Sequence, residues 1–190
     1  MKKYLFLIVS VFLLGCSDST VQYGKVVRVD PKGMYDTSLD FSAEDLHLVV
    51  EKMVSSMLKS QLFDGTPVVD VYPIENRTYE HIDTKAITDS IRTMIIKSKR
   101  AKFVDSTMRP ILINELRYQN SSRYIDKSKA KAIGNHIAQG YILDGAITSI
   151  QVRNPDMQSR FYKVTLQLHN IETGMIDWIE EKEIRKVYHK

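Results

Sequence analysis

Apolar residues recur along this chain with two different periods, and the period changes where turn-forming residues intervene. Leu46, Val49, Val50, Met53, Val54, Met57 and Leu58 keep three-and-four spacing, which predicts an amphipathic helix reaching about Lys59. Ser42-Ala43-Glu44-Asp45 starts it with an N-cap and an acidic first turn, which the helix dipole favours. Asp64-Gly65 is turn chemistry, and Pro67 to Ile74, dense in β-branched residues, predicts a short buried strand. A second helix follows, capped by Asp83 or Thr84, with Ile87, Ile91, Met94 and Ile95 as its stripe and Lys97, Lys99 and Arg100 at its C-terminal end. Lys102 to Asp105 predicts a strand. Arg109 to Tyr118 predicts a helix that tolerates Pro110 in its first turn. About Asp126 to Gln139 predicts a fourth, with Ala130, Ile133, Ile137 and Ala138 inward.

The last fifty residues switch to period two. Tyr141 to Val152 predicts a strand, Arg153 to Ser159 a polar turn, and Phe161 to Ile171 a strand with Tyr162, Val164, Leu166 and Leu168 on one face. Glu172-Thr173-Gly174 is a tight hairpin signal, and Met175 to Tyr188 closes the chain as a charged strand. The element order predicts an α/β fold: a mixed sheet packed with helices, ending in a three-strand antiparallel meander.

The N-terminus follows a different rule. Lys2 and Lys3 precede an apolar run from Tyr4 to Leu14, too short for the roughly 20 residues of a membrane-spanning helix. It fits a signal-peptide h-region. The run ends in Leu13-Leu14-Gly15-Cys16, which resembles the lipobox of bacterial lipoproteins. That resemblance implies cleavage before Cys16 and acylation of it, and several acyl chains at about 0.8 kcal/mol per buried CH2 make a persistent anchor. Ser17 in place of Asp implies sorting to the outer membrane by the enterobacterial rule. Residues 1–15 are thus expected to be a signal peptide, 16–40 a lipidated Cys and tether, and 41–190 a single globular domain. Residues 17–40 reach at most about 80 Å fully extended, and about 27 Å as a flexible coil.

Composition narrows the function classes. Without residues 1–15, 25 Lys and Arg face 23 Asp and Glu, interspersed along the chain, so no polyanion-binding stripe is present. Cys16 is the only cysteine, which excludes disulfides and Cys-based metal sites within the chain. No nucleophile elbow, Walker loop, zinc-helix motif or dinucleotide fingerprint occurs, and no two histidines share i, i+4 spacing. No catalytic residue, cofactor or metal is therefore expected.

Two polar constellations remain as candidate interaction surfaces. Between the first strand and the second helix, Glu80, His81 and Asp83 could hold a cation or move a proton at the carboxyl end of a strand. Alternatively, Asp83 caps the helix and the rest is a solvated loop. Arg123, Lys127, Lys129 and Lys131 flank the fourth helix, where an acidic partner or an anionic headgroup could bind, or water alone.

The order of several short motifs resembles one family. Val-Val-Asp-Val-Tyr-Pro-Ile-Glu-Asn-Arg-Thr (68–78), Asp83-Thr84, Ile91-Arg92, Lys102-Phe103-Val104, Gly140-Tyr141-Ile142-Leu143-Asp144-Gly145 and Thr173-Gly174-Met175-Ile176-Asp177-Trp178 look like the LpoB family. These are outer-membrane lipoproteins that activate bifunctional penicillin-binding proteins, the enzymes that polymerise and crosslink peptidoglycan. The resemblance covers about residues 42–185 and implies a fold similar to the N-terminal domain of TolB. It implies a non-enzymatic activator in the periplasm, anchored in the outer membrane and docking onto a regulatory domain of a class A penicillin-binding protein, with no nucleic acid or small-molecule substrate. The tether departs from the family, whose well-studied members carry a long Pro-rich segment. An accessory or assembly lipoprotein of a secretion or surface-appendage complex is the alternative.

Overall fold

The computed structural model describes residues 38–189, which belong to one unit. Leu13 to Cys16, Ser17 and most of the tether lie outside the described residues. The first helix begins at a reciprocal cap: the Ser42 side chain accepts from the Asp45 amide, and Asp45 Oδ2 accepts from the Ser42 amide at 2.8 Å. It runs as α1 (Ala43–Val49), a π-helical stretch (Val50–Val54) and α2 (Ser55–Lys59). Its apolar stripe is buried as the spacing predicts, Leu46 being only partly covered.

After a short 3-10 turn over Gln61–Phe63 come β1 (Val68–Val71), β2 (Glu75–Arg77), α3 (Thr84–Ser98), β3 (Lys102–Phe103) and α4 (Arg109–Ser121). Three long strands close the fold: β4 (Tyr141–Arg153), β5 (Met157–Asn170) and β6 (Ile176–His189). The sheet order is β3-β1-β4-β5-β6, with β2 lying beside β4 beyond β1. β1 pairs in parallel with β3 and β4, and β4, β5 and β6 form the expected antiparallel meander. The strand predicted through Ile74 ends at Val71 because Pro73 has no N–H to donate. Pairing with β4 resumes at Glu75, opposite Ala146.

Each parallel crossover is right-handed by rule, and the chain steps from β1 to β3 through α3, then back past β1 to β4 through α4. Opposite stepping directions put α3 and α4 on opposite faces. The α3 face holds the core: Val69, Val71, Leu143, Ile147, Tyr162, Val164, Leu166 and Leu168 meet Met53, Met57, Ile87, Ile91 and Ile95, all buried. Gly145 sits where the meander is tightest. A Cβ there would lie 2.2 Å from the Thr165 carbonyl oxygen and 2.7 Å from Leu166 Cδ2.

One predicted turn shortens and one predicted helix is absent. The turn between β4 and β5 is only 154–156, since Met157 to Arg160 already pair with β6. The fourth helix, predicted over Asp126 to Gln139, does not form. Ser121 Oγ donates back to the Arg117 carbonyl, and Ser122 turns to an extended conformation that ends α4. Asp126 then collects the Ser128 amide and hydroxyl in an Asx turn, and Gly134 takes φ +94°. Ile133 and Ile137, expected inward, are 65% and 58% exposed.

Candidate functional site

The two candidate surfaces lie in unlike surroundings. In the loop between β2 and α3 the polar residues mostly satisfy one another. Asn76 accepts from the Thr78 amide at 3.0 Å and donates to the Glu80 carbonyl at 2.7 Å, and Arg77 pairs with Glu75 at 2.6 Å. Asp83 accepts from the Ala86 amide at 3.1 Å, the cap of α3. His81 is exposed. The proposed trio of Glu80, His81 and Asp83 is thus not brought together, and among the described residues no group of three acidic, His or Cys side chains could hold a metal.

Glu80 alone turns inward. Its carboxylate accepts from the Tyr162 hydroxyl at 2.6 and 2.7 Å, from Arg160 at 2.5 Å and from the Phe41 amide at 3.2 Å. Arg160 also pairs with Asp40, and the Tyr162 hydroxyl lies 3.0 Å from the Leu39 carbonyl. Burial, then the Glu80 carboxylate, pushes the Tyr162 phenol far above its ordinary range, so it stays protonated and donates. The Arg160 guanidinium holds Asp40 below the usual carboxylate range. A second charge pair adjoins this one: Lys186 reaches Asp45 at 2.7 Å, both side chains nearly inaccessible, and donates to the Asp40 carbonyl at 2.9 Å. Every partner is occupied in place. The arrangement clamps residues 39–45 onto β5 and β6, at the point where the N-terminal segment enters the domain.

Sequence reading missed Arg160, Lys186 and Asp45 as members of this cluster. Lys186 sits in a charged run, Glu180 to Lys186, in which nothing local distinguishes the one buried cation.

The second surface is irregular rather than helical. Arg123, Lys127, Lys129 and Lys131 lie just beyond α4, and Lys127 donates to the Asn120 carbonyl, a cation at a helix C-terminus where the dipole favours one. The chain then returns beside α4: the Lys131 amide donates to Gln119 at 3.0 Å, and Arg109 donates to Gln139 at 2.6 Å. The flank joins the sheet through the Ser106 amide on the buried Asp70 carboxylate, 3.3 Å away. No residue of α4 is buried.

One groove, about 660 Å3, lies between α1 and α3 over Leu48, Val50 and Met94, with Glu44, Glu51 and Asp89 around it. His47, Ser90 and Thr93 also line it.

A family model described as the peptidoglycan-synthase activator LpoB matches residues 45–184. No curated protein sequence matches the chain. Among solved structures, the LpoB C-terminal domain from Escherichia coli is similar at 17% identity and a TM-score of 0.46, over 74% of this chain and 98% of that one. The LpoB C-terminal domain from Salmonella enterica gives 17% identity and 0.45 over the same shares of 74% and 98%. Lipoprotein GNA1162 from Neisseria meningitidis gives 11% and 0.38, over 64% of this chain and 83% of that one.

Proposed function

The chain belongs to the family of the peptidoglycan-synthase activator LpoB, and from that premise we propose that it is a non-catalytic lipoprotein that binds a bifunctional penicillin-binding protein and raises its activity. The observation that carries this is the extent of the match, which runs from α1 to the middle of β6 and so takes in every element of the sheet. In the polar cluster the Glu80 carboxylate accepts from Tyr162, Arg160 and the Phe41 amide, contacts that hold residues 39–45 on the sheet.

In this reading Cys16 carries the lipid and Ser17 directs the chain to the outer membrane, with the domain facing the periplasm. No helix among the described residues is long and apolar enough to cross a membrane. The clamp would hold the domain end of the tether, at Asp40, to β5 through Arg160 and to β6 through Lys186.

The test adds the purified lipoprotein in detergent to the class A synthase of the same organism and follows polymerisation of a labelled lipid-linked precursor. A raised rate of glycan synthesis is expected. Folded protein that binds none of these synthases would refute the reading. Anchoring is tested separately: Cys16→Ala should leave an unprocessed precursor without palmitate label, whereas labelled, mature-length protein would refute lipidation.

A further inference from the structure

The face opposite the core is an unfinished layer. On α4 the positions toward the domain, Ile113 and Leu116 among them, are only half-buried. The opposite side of the same helix exposes Ile111, Leu112 and Tyr118 by 59%, 48% and 48%, and the returning segment adds the exposed Ile133 and Ile137. Apolar side chains gathered on one exposed flank, held mainly by polar contacts, mark a surface that gains from being covered. Its charge says by what. Residues 108–140 carry six Lys and Arg against two acids, Glu115 and Asp126.

A lipid surface and a protein surface would each answer an apolar, basic flank, and one side chain separates them. Glu115 lies one turn from Ile111 and Leu112 and one from Tyr118, on the outward stripe itself, and is exposed. A carboxylate in the middle of the stripe opposes insertion into an anionic bilayer, yet it suits a protein interface, where polar groups pair around aromatic and Arg anchors. We infer that α4 with its returning segment is the surface that docks the synthase, and that the synthase meets it with an apolar centre ringed by carboxylates. The inference rests on the function proposed above and names the face that performs it.

Affinity of the full lipoprotein for the purified synthase, in detergent, tests it together with stimulation of glycan synthesis. Leu112→Asp should weaken binding about tenfold or more. The charge reversal Lys127→Glu/Lys129→Glu/Lys131→Glu should also weaken it and flatten its dependence on salt. Lys97→Glu, the same kind of reversal on α3, should leave both readouts unchanged, and circular dichroism should show all variants folded. Wild-type affinity and stimulation in both flank variants would overturn the inference while leaving the activator reading intact. Failure of the wild-type chain to bind would remove that reading and this inference with it.

Discussion

The two faces of the sheet are built from the same strands and yet differ in kind. On one, α1, α2 and α3 bury a continuous set of aliphatic side chains, and Val164, Leu166 and Leu168 alternate inward without interruption. On the other, α4 contributes no buried residue, and the contacts over β5 and β6 include the surface ion pair of Lys163 with Glu181 at 3.1 Å and Arg185 over the Phe161 ring. Folding free energy therefore comes chiefly from the first face. The second is free to be shaped by something other than stability, and on it stand the exposed Ile111, Leu112 and Tyr118.

Substitutions can break this comparison in order of their expected size. Lys186→Ala leaves Asp45 charged and nearly inaccessible, and should cost about 3–5 kcal/mol in denaturant unfolding. A loss below about 1 kcal/mol would mean that water reaches the pair. Leu166→Ala opens a cavity in the covered face and should cost about 2–5 kcal/mol. Asp83→Ala removes the cap of α3 at about 0.5–2 kcal/mol, without any other functional loss. On the second face, Thr165→Ala loses a 3.2 Å contact with Glu181 and should stay under about 0.5 kcal/mol. Equal costs for Leu166→Ala and Thr165→Ala would show that both faces are covered.

The covered face was legible in the sequence because burial on one side of an element leaves a period. Leu46 to Leu58 kept the helical period, Tyr162 to Leu168 kept period two, and both sets are core. Ser42 marked the start of its helix by cap chemistry, and of the two candidates Asp83 and Thr84 it is Asp83 that caps α3. The second face misled for a physical reason. Ala130, Ile133, Ile137 and Ala138 have helical spacing, but Ser122, the Asx turn at Asp126 and Gly134 each divert the backbone locally, and no core compensates for overriding them. β2 left no pattern, since Glu75, Asn76 and Arg77 are all exposed. The clamp was illegible in another way: Glu80 and Arg160 are eighty residues apart, and only the folded sheet brings them together.

Stability and activation measured side by side on one variant from each face test the separation most directly. The account predicts that Leu166→Ala lowers the melting temperature yet stimulates the synthase normally well below it, while Leu112→Asp melts like the wild type and stimulates poorly. Losses of melting temperature and stimulation that travel together in both variants would contradict it.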